Sequence, residues 1–225
     1  MFLGNTFTVP NIVNLPGQST GGGGAFEYTA IENSFSMEFD GATSQFLVTD
    51  DIFGGMTEFT IAFWYYADNI TIDRTVLAKW TTFGDIILYH KAFTGWRILY
   101  GGTPSGGSKQ TTILATAGTW QHLVCKYDGS EIKFYPNGGA TTESGSAIAS
   151  TLNSFTNMNI GIDPGAASGG RPWDGKLDEL AIWGTALSDT TVQAIYNATA
   201  NNPGKVADLS ETPEGVPKAW YRMGD

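Results

Sequence analysis

Apolar and polar residues alternate in short runs from residue 34 onward, and this alternation is the main structural signal in the chain. In the first run, Phe35, Met37 and Phe39 are separated by polar residues, which is the period-two pattern of a half-buried strand. The later runs are four to eight residues long, rich in β-branched and aromatic residues, and bounded by Gly, Asn, Asp or Pro. They cover residues 45–49, 59–66, 75–80, 86–90, 96–100, 111–116, 120–127, 131–135 and 158–162. About ten short strands indicate a β-sandwich or a β-barrel.

One segment near the C-terminus has the periodicity of a helix instead. Ser188 is a good N-cap residue, and Val192, Ile195 and Tyr196 follow at the i, i+3, i+4 spacing of one apolar stripe. The Asn-Asn-Pro-Gly sequence at 201–204 is a stop signal. We therefore predict one short helix between these two signals.

The segments that flank the alternating region have a different composition. Residues 1–33 form a predicted arm, in which scattered apolar residues and two prolines are followed by four consecutive glycines at 21–24. Such a glycine run is costly to order and predicts a flexible joint. The arm is too apolar for a free tail, so it packs either on a partner chain or over its own domain. We predict one domain at 34–200 and a turn-rich tail at 201–225.

Composition excludes several classes of protein. The chain has 225 residues, of which 41% are hydrophobic and 13% aromatic, so it is neither disordered nor too short to bury a core. The single Cys125 excludes a disulfide framework and a cysteine-based zinc site. The chain contains no apolar run of 18 residues, so we predict no membrane span. The first basic residue is Arg74, which argues against a secretory signal peptide.

The net charge of −10 is unevenly distributed along the chain. Residues 1–73 contain nine acidic residues and no Lys or Arg, whereas the rest is almost balanced. Nucleic acid and anionic lipid require clustered basic residues, so neither is an expected partner. The acidity either keeps the protein soluble or supplies carboxylates for a divalent cation.

Four sequence pieces occur in a recognisable order along the chain. They are Phe39-Asp40-Gly41, the run at 59–64, the segment from Trp120 to Gly138, and the segment from Trp173 to Ser188. Their order and spacing resemble a laminin G-like domain of the concanavalin A-like superfamily, and the resemblance covers roughly residues 34–200. It implies an all-β fold, a two-sheet antiparallel jelly-roll sandwich with one short C-terminal helix. It also implies binding of glycans or proteins rather than catalysis.

The flanks of this region have features of their own: a glycine-rich arm that precedes the segment from Asn33 to Gly41, and the ending from Ala219 to Asp225. These flanks resemble those of laminin G-like structural proteins of tailed bacteriophages. This resemblance implies a non-enzymatic virion surface or structural protein, such as a capsid decoration, fibre or tail component, that is oligomeric in the particle. The arm would contact other virion proteins, and host-surface glycans are possible ligands. The alternatives are a secreted, extracellular carbohydrate-binding module or a jelly-roll polysaccharide hydrolase.

Two aspartates are candidate calcium ligands. Asp40 lies at the end of the first strand, and Asp178 shares its parity along a late strand with Leu180 and Ile182. If these two apolar residues face the core, Asp178 is drawn inward, where a carboxylate needs a cation or hydrogen-bond donors. The resemblance suggests calcium. The alternatives are an Asp-Gly turn for Asp40 and a hydrogen-bonded rim carboxylate for Asp178.

Aromatic residues between positions 80 and 100 are candidate glycan ligands, because flat rings stack on sugar faces. The alternative is that these rings form the sandwich core. By position in the family pattern, Trp64, Trp120 and Trp183 are expected in the core. The candidate ligand residues are Trp80, Tyr89, Trp96 and Tyr100.

No constellation of residues predicts catalysis. His90 and His122 are expected to be structural, and Cys125 reads as a small buried residue. Jelly-roll hydrolases need two carboxylates across one cleft. The nearest pair is Asp178-Glu179, whose adjacent side chains on a regular strand point to opposite faces.

Overall fold

The structure is a computed structural model that describes residues 26–79, 86–103, 107–139, 145–146, 151–165 and 170–223. Most of the predicted arm, including its four glycines, and the candidate ligand Trp80 lie outside these residues. Helix α1 spans Asp189–Ala200 and a short 3₁₀ helix spans Leu209–Glu211. The strands are β1 (Ala30–Glu32), β2 (Met37–Asp40), β3 (Phe46–Val48), β4 (Phe59–Ala67), β5 (Arg74–Lys79), β6 (Ile86–Lys91), β7 (Gly95–Tyr100), β8 (Gly102–Thr103), β9 (Gly107–Gln110), β10 (Trp120–Tyr127), β11 (Glu131–Pro136), β12 (Gly145–Ser146), β13 (Thr151–Leu152), β14 (Met158–Ile160), β15 (Asp174–Trp183), β16 (Lys205–Ala207) and β17 (Ala219–Tyr221).

Two antiparallel sheets form the sandwich, which confirms the predicted fold class. One sheet has six strands in the order β3-β14-β5-β6-β7-β9. The other has seven strands and runs β12-β11-β10-β4-β15. Two short strands share the remaining edge of β15, because β2 pairs with its first half and β17 with its second half.

The space between the sheets is filled by the inward-facing residues of both, as the period-two alternation predicts. Three tryptophan and tyrosine rings meet near its centre: Trp96 lies 5.0 Å from Tyr65 and 6.2 Å from Trp173, measured between ring centroids. All three side chains are essentially inaccessible to solvent. Burial of such large rings contributes strongly to the stability of the sandwich, because each removes a large apolar area from water.

A second hydrophobic layer covers part of the outer face of the seven-stranded sheet. We call it the cap, and it consists of residues 26–33, helix α1, β16 and the 3₁₀ helix, together with the outward-facing Trp220 of the edge strand β17. β1 pairs with β16, so the two ends of the described chain are joined within this layer. The cap packs on outward-facing residues of the sheet such as Ala62, Val124 and Trp183.

Helix α1 begins and ends where the sequence predicts. The Ser188 side chain accepts a hydrogen bond from the backbone N–H of Thr191, and Asn201 is the C-cap residue. Among the described residues, no helix has the length and apolar character needed to span a bilayer.

The predicted strand at 111–116 is wrong. Residues 107–110 form β9 instead, and the following segment is a loop folded over the end of the sheet. Thr111 Oγ1 accepts the backbone N–H of Ile113, and His90 Nε2 accepts that of Ala115. The segment keeps two backbone hydrogen bonds to β7, from Thr111 N–H to the Trp96 oxygen and from Trp96 N–H to the Ile113 oxygen. Because side chains take the next backbone donors, it does not continue as a strand despite its β-branched composition.

Candidate functional site

Four residues form a row across the outer face of the seven-stranded sheet. Register pairs Trp120 on β10 with Tyr66 on β4, Tyr66 with Lys176 on β15, and Lys176 with Glu38 on β2. Their neighbours along each strand face the core, so all four point outward. We call this row the aromatic strip.

The two rings of the strip offer apolar surface beside two charged groups. The centroids of Tyr66 and Trp120 are 5.9 Å apart with the planes inclined at 60°, and Lys176 Nζ lies 5.9 Å from the Tyr66 centroid. Trp120 is 43% exposed, which is unusual for so large an apolar ring. Tyr66 and Lys176 are half-buried and Glu38 is exposed. The strip is therefore an accessible aromatic surface with an ammonium and a carboxylate in line.

Close packing of the backbone aligns the strip. Gly175, next to Lys176, has φ +122°, and a Cβ there would collide with the backbone oxygen of Tyr66. Only glycine allows β15 to approach β4 this closely.

Beyond the strip, toward the loops, lies a row of acidic residues. Asp174 pairs in register with Asp40, and its Oδ2 accepts a 3.0 Å bond from the buried Arg74 guanidinium. Asp40 Oδ1 accepts the backbone N–H groups of Ser44, Ala42 and Thr43, each at 2.9 Å. These three bonds lower the pKa of Asp40 well below its usual range. The row keeps the loop after β2 in place and gives this end of the strip a negative charge.

On its other side, the strip borders the cap. The Tyr196 ring of α1 stacks on Trp64 at 5.8 Å between centroids, and Trp64 in turn lies 4.9 Å from His122. Trp64 and His122 are paired in register and form the next outward-facing row. Trp64 lies two residues before Tyr66 on β4, and His122 lies two residues after Trp120 on β10. The cap therefore covers this neighbouring row, whereas Trp120 remains exposed.

A β-bulge interrupts β15 between Asp178 and Ala181. Glu179 there has φ +50°, an uncommon conformation for a residue with a side chain. Leu177 and Leu180 both enter the core, so the two acidic residues between them lie together under the cap. Two expectations are thus wrong: Asp178 does not share the inward parity of Leu180, and Asp178 and Glu179 do not face opposite sides. The extra residue of the bulge shifts the alternation by one position.

Both carboxylates of the bulge are 5% exposed and bind segments of the cap. Asp178 Oδ2 accepts from Asn33 Nδ2 at 2.8 Å, and its Oδ1 accepts the N–H of Glu179 at 2.8 Å. Glu179 accepts from Trp220 Nε1 at 2.6 Å and from Arg222 Nε at 3.3 Å. The pair therefore joins the central strand to the first and last parts of the described chain.

Burial raises the pKa of Glu179 to about 7, and the nearby Asp178 charge adds to the effect, while Trp220 and Arg222 oppose it. A group of this pKa could donate or accept a proton at neutral pH. However, the cavity that Glu179 lines with Trp64 and His122 has a volume of only about 10 Å³. That volume holds about one water molecule and no sugar ring.

The structure does not bring the two candidate calcium ligands together. Asp40 pairs with Asp174, and Asp178 lies four residues further along β15, about 13 Å away at roughly 3.3 Å per residue. Both oxygens of Asp178 already accept protein N–H groups. Within the described ranges, no group of three or more His, Cys, Asp or Glu side chains could hold a metal ion. Asp40 and Asp178 therefore do not fit one shared calcium ion.

The predicted aromatic ligands are not an exposed platform. Trp96 and Tyr100 are 0% and 2% exposed and belong to the core between the sheets, so the core alternative applies to them. Tyr89 faces the opposite way, on the outer side of the six-stranded sheet, with 3% exposure. The expectation that Trp120 is a core residue is also wrong, because it begins β10 at the uncovered end of the sheet.

The remaining candidate chemical groups are enclosed. Burial lowers the pKa of His122 to about 3 and that of His90 to about 4, so both imidazoles are neutral at pH 7. Burial also raises the pKa of the Cys125 thiol, which is inaccessible in the core. A neutral, buried thiol is a poor nucleophile.

Sequence reasoning missed the aromatic strip. Each member occupies an outward position in an alternating run, which the sequence shows. That the four members form one row depends on how four strands, far apart in sequence, pair with each other. The signal that could have identified it is the Trp120-Gln121-His122-Leu123 alternation, in which Leu123 faces the core and Trp120 therefore faces outward.

Comparison with known families assigns the chain. The family model of the concanavalin A-like lectin/glucanases superfamily, in its laminin G form, matches residues 40–193. The chain belongs to this superfamily. The matched region contains both sheets' central strands and the first turn of α1. No curated protein matches the chain significantly.

Several solved structures share the laminin G-like fold at low identity. A candidate carbohydrate binding protein from Bacteroides ovatus superposes with a TM-score of 0.64 at 16% identity, over 87% of this chain and 53% of that one. The chain thus spans about half the length of that protein. The heptameric SAP-like pentraxin of Limulus polyphemus gives 0.56 at 15% identity over 83% and 91% of the two chains. A Trypanosoma rangeli sialidase gives 0.54 at 18% identity, over 78% of this chain but 29% of that chain.

Proposed function

We propose that this laminin G-like chain is a non-enzymatic glycan-binding module that holds saccharides on the aromatic strip. The observation that carries the proposal is the 43% exposure of Trp120 in register with Tyr66, Lys176 and Glu38. An exposed aromatic ring flanked by a few polar groups is the usual composition of a small-molecule site.

The dimensions of the strip suit an extended saccharide. Four adjacent strands at roughly 4.8 Å spacing give a row about 14 Å long. The rings of Trp120 and Tyr66 offer apolar faces, while Lys176 Nζ and the Glu38 carboxylate offer a donor and an acceptor for hydroxyl groups. The Bacteroides ovatus protein shares the fold and is described as a candidate carbohydrate binding protein. This favours carbohydrate as the ligand here by analogy of fold only.

The absence of catalysis is part of the proposal. The acid pair closest to hydrolase chemistry, Asp178 and Glu179, is 5% exposed and engaged by cap donors beside a cavity of about 10 Å³. A glycosidic bond cannot reach it unless the cap opens. The likeness to a sialidase extends over less than a third of that enzyme and concerns the fold.

The test is a glycan array followed by calorimetry with the best neutral oligosaccharide. Trp120→Ala should weaken binding at least tenfold, because the exposed ring supplies the main apolar contact. The matched control is Phe93→Ala, which removes another exposed ring, 82% accessible, in the turn between β6 and β7. A silent array, or Trp120→Ala binding as well as the wild type, would refute the strip as a glycan site.

We place the module on a virion, with host-surface glycans as ligands and neighbouring virion proteins as partners of the N-terminal arm. The flanking segments support this placement through their resemblance to phage structural proteins, and secretion is the alternative. Mass spectrometry of purified particles against culture supernatant distinguishes the two. Recovery of the chain only from the particle-free supernatant would contradict the virion placement.

Calcium binding likewise remains a prediction. Thermal unfolding with and without a chelator tests it, because an ion bound only to the folded state raises the melting temperature. Equal melting temperatures would eliminate calcium as a bound ion.

A further inference from the structure

Basic residues are concentrated on the six-stranded sheet. Its described strands contain five basic residues and no acidic one, although the chain as a whole has a net charge of −10. The described strands of the seven-stranded sheet contain six acidic and three basic residues. The five basic residues are Arg74, Lys79, Lys91, Arg97 and Lys109.

A polar row crosses the outer face of this sheet, as the aromatic strip crosses the other. Register pairs Tyr89 on β6 with Arg97 on β7, and Arg97 with Gln110 on β9. Their strand neighbours Leu88, Trp96 and Ile98 belong to the core, so the row points outward. Arg97 Nη1 donates to Tyr89 Oη at 3.3 Å, which fixes one guanidinium at the phenol.

A second guanidinium reaches the same phenol from the loop after β14. The Arg171 guanidinium carbon lies 4.7 Å from the Tyr89 ring centroid, a cation–π contact. Arg171 has φ +44°, an uncommon conformation for a residue with a side chain, and its backbone oxygen accepts the N–H of Thr75. Local strain held by the surrounding structure is frequent at functional sites.

One carboxylate partly neutralises the charge of the two guanidinium groups, those of Arg97 and Arg171. The Asp163 side chain has no accessible surface, and its Oδ2 lies 3.4 Å from Arg171 Nη2. Burial raises the pKa of Asp163, while the charge of Arg171 opposes the rise. Among the described residues, no hydrogen bond joins Arg97 to a carboxylate, so the described part of the cluster carries about one net positive charge.

We propose that Arg97 and Arg171, positioned by Tyr89, bind one carboxylate or sulfate group of an acidic saccharide on the face opposite the aromatic strip. Guanidinium forks bind such planar or tetrahedral oxyanions bidentately. Tyr89 itself is 3% exposed, so the anion contacts the guanidinium edges, and Gln110 beside Arg97 can bond to sugar hydroxyls. An extended polyanion is disfavoured because the rest of the molecule is acidic.

The test uses calorimetry on the full chain at low ionic strength with three probes: tetragalacturonate, its methyl ester and a heparin-derived sulfated disaccharide. We expect tetragalacturonate or the disaccharide to bind at least tenfold more tightly than the uncharged ester. Whichever binds more tightly identifies carboxylate or sulfate as the preferred group.

The variants separate this site from the strip. Arg97→Gln should weaken binding of the charged probe at least tenfold. Arg97→Lys should weaken this binding less, because the positive charge remains but the guanidinium fork is lost. Tyr89→Phe should weaken the same binding severalfold, because Arg97 loses its hydrogen bond to the Tyr89 hydroxyl. Lys133→Gln, which removes a partly exposed base from the seven-stranded sheet, is the matched control and should have no effect.

Three results would overturn the proposal: equal binding of acid and ester, no binding of either charged probe at millimolar concentration, or loss of binding in Trp120→Ala but not in Arg97→Gln. Melting temperatures of all variants identify any that fail to fold. Failure here leaves the neutral-glycan test of the strip untouched, because the two sites lie on opposite faces of the sandwich.

Discussion

The two outer faces of the sandwich differ in what covers them and in their charge. The seven-stranded sheet is acidic, and it shares with the cap a cluster of thirteen buried hydrophobic residues, leaving the aromatic strip at one end. The six-stranded sheet is basic, and on its outer side the described residues form a smaller buried cluster of Ala78, Ile87 and Tyr89. Both faces come from the same alternating pattern, so alternation alone does not determine whether an outward position becomes core or surface.

The difference in charge and coverage also means that the two proposed sites suit different kinds of ligand. Exposed rings beside Lys176 and Glu38 suit neutral hydroxyl-rich surfaces, whereas Arg97 and Arg171 suit an anion. Ligands on opposite faces do not compete for space. If both proposals hold, a single molecule binds two chemically different parts of one glycan layer.

The largest expected effect is a loss of packing under the cap, and the same isoleucine-to-alanine substitution can be made on both faces. Ile195→Ala under the cap should cost about 3–4 kcal/mol, because its cavity lies within a large apolar cluster that cannot easily collapse. Ile87→Ala on the six-stranded face should cost about 2 kcal/mol, since its cluster is small and can relax. Urea unfolding of both variants measures the difference. Equal losses would mean that the two faces are equally well packed.

The next effect is a pH dependence located on the capped face. The pKa of Glu179 is raised to about 7 in the folded state from an ordinary value of 4.5. The folded state therefore holds the proton more tightly, and this contribution is fully present below pH 4.5 and lost as the pH rises through 7. Relative to Glu179→Gln, the wild type should lose on the order of 2–3 kcal/mol between pH 4.5 and pH 8. Urea unfolding at both pH values tests this, and parallel pH profiles would contradict it.

A smaller effect distinguishes the faces by salt. Raising NaCl from 50 to 500 mM should weaken binding of an acidic probe at Arg97 and Arg171 severalfold, because charge–charge attraction is screened. Binding of a neutral oligosaccharide at the strip should change little. Calorimetry at the two salt concentrations measures both, and equal salt sensitivity would remove the electrostatic distinction between the faces.

The smallest effect is on stability at the strip itself. Trp120→Ala should change the free energy of unfolding by about 1 kcal/mol or less, because the ring is already 43% exposed. Thermal and urea unfolding of the variant measure this change. A loss as large as that of Ile195→Ala would show that Trp120 serves packing rather than binding.

Much of the fold could be predicted from local pattern. The cap of α1 at Ser188, the strands around Phe63 and Leu123 and the burial of Cys125 all follow from residues close together in sequence. The candidate site was predicted less well. Trp96 and Tyr100 belong to the core, and Trp120 is exposed, although all three are aromatic residues within or at the end of a strand.

The sequence by itself determined an all-β fold of the sandwich or barrel type, the capped helix α1 and the alternation within the strands, because these depend on residues a few positions apart. The resemblance to laminin G-like domains then selected the sandwich. Only the tertiary structure decided which strands lie side by side, and hence that Trp120, Tyr66, Lys176 and Glu38 form one row. It also placed a bulge at Asp178 and Glu179, where one extra residue reverses the parity that the sequence pattern implies. The register of the row depends on contacts between residues 54 to 138 positions apart, and a local pattern carries no information about them.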